Sequence, residues 1–473
     1  MLAAIVPVTQ FRAPWTSTDA AEVASVLAGT SRRYASLELV AGEEAPILAA
    51  VAPLAQLAAG RLILAATAAK LRTDLAAHRD RLAILAAADV DPSVRALAWG
   101  DVALFGTTRV KALADWPLMV DLSASTASSG PGTGAAYDPA TAWTLFAGGD
   151  ILLDRGIALT VTTKGVDFPF DGGTATITSH YCCSSFGWQM PRTRRTGDAG
   201  AVRDLVSGAD LAIANFENPA PDTFRYHDHG TVFSANPALI KGLKDAGIDW
   251  VSLANNHVGD AGRTGILQTM ANLDARGIAH GGAGKDWATA HAASLLDVGG
   301  IHVAILGYDT IAPGYWATPT KIGSAHLTAD AVKADVAAAR AAGADLVIVF
   351  PHWGVEYHAV ASSGQRALAH AAIDAGADLV IGNHPHWAET MEVYRGHPIW
   401  YALGNFVFDQ TWSEPTMEGI TLELTFQGTR LVQVRMRPHL ILDRSQPNFM
   451  DPMGSGKVVM NQLWGASKGL LGW

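Results

Sequence analysis

The stretch Leu379-Val380-Ile381-Gly382-Asn383-His384-Pro385-His386 decides how the rest of this chain is read. Aliphatic and β-branched residues follow Ala-rich helical text, so Asp378 to Ile381 reads as a short buried strand entered from a helix. The strand runs into a turn that offers one amide and two imidazoles. Histidines on either side of Pro385 cannot share a helical face, because the spacing is wrong and proline stiffens the turn. From a loop, both can point into one cleft.

The same pattern of helix, small-Gly-x-Asp, apolar strand and polar loop occurs three times upstream. Ser207-Gly208-Ala209-Asp210 leads through Leu211–Ala214 to Asn215-Phe216-Glu217. Ala246-Gly247-Ile248-Asp249 leads through Trp250–Leu253 to Asn255-Asn256-His257. Ala342-Gly343-Ala344-Asp345 leads through Leu346–Val349 to His352-Trp353-Gly354. Counted from each Asp, Glu217, Asn256 and His352 all lie 7 residues on, and His384 and His386 lie 6 and 8 residues on. Helix-to-strand units with a Gly at the helix exit build a layered α/β sheet. Ligands bind such sheets beyond the carboxyl ends of the strands. A Glu, an Asn and two His-bearing loops therefore arrive at one edge from four strands.

With 473 residues the chain exceeds one ordinary domain, and two are expected. A hydrophobic content of 49% with 47 glycines describes a well-packed protein with many turns. A net charge of −10 argues against a general nucleic-acid binder, which needs a basic field. The two cysteines, Cys182 and Cys183, are adjacent and could close only a strained ring, so no disulfide framework is expected. Met1–Gln10 lacks a basic n-region and a long apolar core, so no signal peptide is legible. The Ala-rich run Ile47–Leu64 carries Gln56 and Arg61 and falls short of ~20 uninterrupted apolar residues. It reads as buried helix, and no transmembrane segment is expected.

Residues 1–121 read as an accessory α/β domain with strands such as Ser36–Val40 and Ala103–Phe105 and no chemical constellation. Residues 122–138 hold a Ser/Gly/Pro-rich linker. Residues 139–445 form the chemical domain, and 446–473 a C-terminal tail. The second domain opens with the strand Ala142–Ala147, then Gly148-Gly149-Asp150. An Asp just past a buried strand, beside glycines that admit other groups closely, suits a metal carboxylate or caps the next turn. Arg155 clamps an anionic oxygen as a bidentate fork or is solvated. The Arg192–Arg195 run is a solvated loop, or gathers anionic substrate near an acidic cleft. His227 and His229 read as surface or lid residues outside the ligand set. Ala329–Ala342 reads as an amphipathic helix. Glu392–Tyr394 and Ile399–Leu403 read as a hairpin across Gly396-His397-Pro398. Ile420–Phe426 and Leu431–Met436 alternate in period two, as an antiparallel pair with one buried face.

Asp, Glu, Asn and His are the ligands that suit Mn, Fe and Zn, and no thiolate is available to the site. With five or six ligands and one bridging carboxylate, two divalent ions ~3.5–4 Å apart are chemically reasonable. His257, beside Asn256, is free to act as general acid to a leaving group, or orients its neighbour.

Together, Gly149-Asp150, Asn215-Phe216-Glu217, Ala254-Asn255-Asn256-His257, Gly281–Gly284, Pro351-His352-Trp353-Gly354, Gly382–His386 and Gly404-Asn405-Phe406 resemble the CapA family. These are poly-γ-glutamate capsule biosynthesis proteins within the calcineurin-like metallophosphatase superfamily. The resemblance covers about residues 142–440. It implies a four-layer α/β-β/α sandwich of the metallo-dependent phosphatase type, preceded here by the smaller accessory α/β domain. It implies that Asp150, Glu217 and His386 hold one ion, and that Glu217, Asn256, His352 and His384 hold the second. Leu152 stands where the broader superfamily's Asp-x-His motif has its histidine. The implied activity is metal-dependent hydrolysis of the phosphoesterase type, with His257 and Arg155 catalytic, on a phosphoester or an anionic polymer such as poly-γ-glutamate. Cleavage or transfer at a γ-glutamyl amide and a non-catalytic role in polymer assembly or export are the alternatives. Partners among capsule-synthesis membrane proteins, and a cell-envelope or extracellular location, follow from the same resemblance.

Overall fold

The computed structural model describes residues 2–122, 136–171, 201–227 and 230–473. Most of the expected linker, the Cys182-Cys183 pair, the Arg192–Arg195 run and His229 lie outside the described residues. The chain divides into two compact units, one of Met1–Thr144 with Glu423–Arg435 and one of Leu145–Leu422 with Met436–Trp473.

In the first unit, Leu2–Gln10 is an apolar strand flanked by antiparallel Arg81–Ala86 and Val94–Ala96. Ser36–Val40 pairs in parallel with both Leu62–Ala65 and Arg81–Ala86. Ser36–Val40 is buried throughout, as a helix-covered central strand must be, whereas the edge strand Leu62–Ala65 is only partly covered. Helix Ala20–Ala28 contributes Val23, Val26 and Leu27 to that core, and helix Ala68–Ala77 contributes Leu71 and Leu75. The Ala-rich run after Ile47 is not one helix. Helix Glu44–Val51 ends before Pro53, and Leu62–Ala65 is a strand. A proline cannot donate into the helix and clashes with the preceding turn. Nor is Ala103–Phe105 a strand, since only Ala103 makes an isolated bridge, to Arg109.

Two larger sheets hold most of the strands of the second unit. One runs in the order Ala279–Gly281, Trp250–Ser252, Leu211–Phe216, Ala142–Ile151, Glu418–Gln427, Arg430–Leu442 and Gln446–Phe449, with Asn405–Val407 also paired to Ala142–Ile151. The other runs Ser294–Val298, Ile301–Asp309, Leu346–His352, Leu379–Ile381, His397–Trp400 and Met391–Tyr394. Helices Arg155–Lys164, Ala201–Gly208, Ile240–Ala246 and Gly262–Asp274 cover the first sheet through Ile157, Val202, Leu243 and Ile266. Helices Ala329–Ala341 and Ser363–Asp374 cover the second through Val332, Val336, Ala369 and Ala372. The inner faces meet each other. Trp250 and Phe350, both fully buried, lie edge to face at 5.5 Å, and Trp400 Nε1 reaches Met436 Sδ at 3.4 Å. The result is a four-layer α/β-β/α sandwich. Among the described residues no helix is long and apolar enough to cross a membrane.

The recurring Asp has a physical role at the strand entrances. Asp249 Oδ2 accepts from Ala212 N at 2.9 Å, Asp345 Oδ2 from His302 N at 2.9 Å, and Asp378 Oδ2 from Val347 N at 2.7 Å. Each carboxylate satisfies a backbone donor at the start of the neighbouring strand, where the ladder has not yet begun. Two strands differ from the sequence reading. Ala142–Ile151 runs past the glycines, so Asp150 lies inside the strand. Glu418–Phe426 is buried on both faces, and within the first unit Thr425 Oγ1 and Glu423 Oε1 accept from the backbone of Gly106 and Thr107.

Candidate metal centre

Five strand ends of the second unit deliver the chemistry. Asp150 sits opposite Asn215 and Asn405 in the parallel register, and a bulge between Ile213 and Asn215 turns the end of that strand. Glu217 follows directly, its amide donating to Ile151 O at 2.8 Å. His352 ends its strand, and His384 and His386 leave theirs through backbone at φ +98° and +60°. Side chains rarely adopt that left-handed region, so the turn is over-determined by its surroundings. Two glycines permit the close approaches. A Cβ at Gly382 would stand 2.0 Å from Tyr401 O, and one at Gly149 would stand 1.8 Å from Gly404 O.

The structure brings together six of the residues expected from sequence. Ligand atoms of Glu217, His352 and His384 lie within 4.8 Å of one another, and so do those of Asp150, Glu217 and His386. Glu217 belongs to both groups. His352 Nε2 lies 2.7 Å from Asn256 Oδ1, 3.1 Å from His384 Nδ1 and 3.6 Å from Glu217 Oε1. Atoms held ~2.1 Å from one cation in tetrahedral or octahedral arrangement stand about 3.0–3.4 Å apart, a range that the His352–His384 separation meets and that the other two bracket. The other group is looser, with His386 Nδ1 3.5 Å from Asp150 Oδ2 and His386 Nε2 4.0 Å from Glu217 Oε1. Leu152 is buried beside Phe233, Phe408 and Ile441 and adds no ligand.

The electrostatics of the cluster suit a cation. Glu217 is fully buried, and neither of its oxygens has a hydrogen-bond partner. Burial first, then the Asp150 carboxylate, pushes the Glu217 carboxyl well above its ordinary range. Burial, then the neighbouring histidines His384, His386 and His257, holds His352 well below the usual imidazole range. Burial, followed by His386 and His257, brings His384 down to about 3. Neutral imidazoles keep the lone pairs that a cation needs, and a divalent ion would relieve an unpaired buried carboxylate.

His257 stands at the edge of this cluster. Its Nδ1 pairs with Asp260 Oδ2 at 2.8 Å, its amide donates to Asn255 Oδ1 at 3.1 Å, and its Nε2 lies 4.0 Å from Glu217 Oε1. Phe233 covers the ring at 4.1 Å. Arg155 is at the same edge, with its fork engaged. It pairs with Asp409 and donates through Nη1 to Gly230 O at 3.0 Å, with its guanidinium 4.9 Å from the Phe233 ring centre. His227 is apart from the cluster, its Nδ1 paired with Asp154 Oδ2 at 2.8 Å.

Several positioning residues lack a role in the sequence reading. Asn215 Nδ2 donates to Asp150 Oδ1 at 2.7 Å and faces His352 Nδ1 at 3.2 Å, tying the two groups together. Asn405 Oδ1 faces His386 Nδ1 at 2.9 Å, and its Nδ2 donates to Thr416 O and Gln410 Oε1. Both asparagines were visible only as motif letters. Asp260 is absent from the sequence reading, although its place three residues after His257 is a usable signal.

Residues 144–410 match the family described as bacterial capsule synthesis protein PGA_cap. A capsule biosynthesis protein CapA of Bacillus anthracis is 34% identical over 272 residues, covering 55% of this chain and 63% of that protein. A PGA biosynthesis protein CapA of Bacillus subtilis is 35% identical over 216 residues, covering 45% of this chain and 57% of that protein. The matches thus span less than two thirds of the length of either relative. Among solved structures, the calcineurin-like phosphoesterase YfkN of Bacillus subtilis aligns over 69% of this chain and 96% of that chain, at 12% identity and a TM-score of 0.37.

Proposed function

The chain belongs to the bacterial capsule synthesis protein PGA_cap family, and we propose that it is a metal-dependent hydrolase of the phosphoesterase type. Its substrate is a phosphoester on or beside an anionic envelope polymer such as poly-γ-glutamate. The observation that carries this reading is Glu217, a buried carboxylate with no donor on either oxygen, set between two groups of neutral or acidic ligands. Asp150, Glu217 and His386 would hold one divalent ion, and Glu217, Asn256, His352 and His384 the other. Bound there, Mn, Fe or Zn ions supply Lewis-acid polarisation of a phosphoryl oxygen and neutralise charge on the leaving side.

The chain's own residues do the rest. Asp260 holds His257 Nδ1, so Nε2 faces the cluster as the atom that gives a proton to the leaving oxygen. Asn255 fixes the backbone of that histidine. Arg155 adds positive field at Glu217, with Asp409 fixing its direction. Phe233 packs on the His257 ring and Phe408 lies 5.1 Å from the His386 ring, walling the edge of the cluster.

The test measures bound metal and assays bis-p-nitrophenyl phosphate, p-nitrophenyl phosphate and poly-γ-glutamate with and without Mn²⁺. Mn²⁺-dependent phosphodiester turnover is expected, reduced about 10²–10⁴-fold in His257→Ala with bound metal unchanged. Unchanged hydrolysis in that variant removes the acid role. Cleavage of poly-γ-glutamate alone moves the chemistry to the γ-glutamyl amide. Polymer binding with no hydrolysis of any substrate transfers the protein to the assembly class.

A further inference from the structure

The loop Trp353–Ala361, between strand Leu346–His352 and helix Ser363–Asp374, carries an aromatic side chain that the proposed hydrolysis does not use. Tyr357 has left-handed backbone at φ +63°, and its amide donates to Pro385 O at 2.8 Å. The strained residue is thus tied to the turn that holds His384 and His386. Its ring lies 6.0 Å from the His386 ring at an interplanar angle of 28°. Trp387 and Trp412 stand 6.4 Å from it, at 56° and 80°. All three rings are half-buried, beside exposed Val355, Glu356 and Val360.

We propose that Tyr357, Trp387 and Trp412 form a subsite that receives the pyranose ring of a glycosyl group beside the metal centre. Three features select a sugar. The rings offer apolar faces to C–H groups, as aromatic side chains in ligand sites commonly do. Trp387 Nε1 is a donor with no acceptor in the structure, and a ring or hydroxyl oxygen supplies one. Glu356, exposed and next to Tyr357 in the chain, offers a carboxylate to accept from sugar hydroxyls. A γ-glutamyl chain has no ring to place there and would bring its own carboxylates against Glu356. A flat nucleobase wants parallel walls, whereas these rings are steeply inclined to one another.

The position of the reacting bond rests on the metal-centre reading, but ring capture does not, so the two are measured apart. Chitotriose, maltotriose and glucose 6-phosphate are titrated into the full chain under chelator, with tryptophan fluorescence as the readout. Saturable binding of at least one sugar is expected, weakened about tenfold or more in Tyr357→Leu and Trp412→Ala and retained in Tyr357→Phe. Should either ring-removing variant fail to fold, saturation transfer from the aromatic protons of the unaltered chain to sugar C–H protons replaces it. Failure of all three sugars overturns the proposal. So does binding of AMP or a γ-glutamyl oligomer that is tighter than any sugar and lost in the same variants. Phosphodiester turnover with Mn²⁺ is recorded separately, and its presence or absence bears only on the hydrolase reading.

Discussion

Glu389→Gln removes this residue's share of the pH dependence of stability between pH 5 and 8. Glu389 is 1% exposed, three residues beyond His386. Its Oε2 accepts from Gln365 Nε2 at 2.8 Å, while its Oε1 has no partner. Burial raises the carboxyl to about 8, and the Gln365 bond pulls weakly the other way. In the unfolded chain the proton leaves near 4.5, so between these values the folded chain holds a proton that the unfolded chain has released. The contribution is therefore fully present below the unfolded pKa and is lost as pH rises through the folded one. Over the 3.5 pH units from 4.5 to about 8, about 1.4 kcal/mol per unit sets a ceiling of about 5 kcal/mol. Water entry and relaxation around a buried carboxylate lower that to about 2–3 kcal/mol. Glutamine mimics the neutral acid and keeps the acceptor for Gln365. In urea unfolding followed by fluorescence, variant and parent should nearly coincide at pH 5, and the variant should be the more stable at pH 8. An identical fall in stability for both proteins from pH 5 to 8 refutes the assignment.

Asp260→Asn leaves bound metal intact and lowers phosphodiester turnover about 10–100-fold, read from kcat and metal content together, because only the orientation of His257 is lost. Asn256→Ala weakens the Glu217–His352–His384 cation about 10–100-fold in a competition titration with a chelating dye. The same titration on the parent chain shows two unequal affinities, with the Asp150–Glu217–His386 group the weaker. Gly149→Ala costs about 3 kcal/mol or more, since its Cβ would meet a backbone carbonyl that cannot move aside. Loss of soluble protein or a large fall in Tm checks it.

The four strand-to-loop units were legible because buried parallel strands need continuous apolar text, and because the Asp at three of the four entrances has a backbone donor to satisfy. Glu217, His352, His384 and His386 followed from that register, since residues just past such strands share one edge. What a single sequence hides is pairing across long separations. Asn405 meets His386 over 19 residues, and Asn215 meets His352 over 137. The end of helix Glu44–Val51 was misjudged because Ala and Leu outweighed Pro53 in composition. The double burial of Glu418–Phe426 was misjudged because period-two text with Thr and Glu looks half-wet until its polar groups find partners. Arg155 was noticed, but the carboxylate of Asp409, 254 positions away, could not be.

The carboxylates at the strand entrances and the ligands at the strand exits stand at opposite ends of the same short segments. The first set secures the architecture at the strand ends away from the ligand cluster. Most of the clustered ligands sit on turns beyond the strands, while Asp150 and His352 are held within the strand ends themselves. A lineage carrying this sandwich can exchange its rim, including the Trp353–Ala361 loop, without refounding the protein underneath.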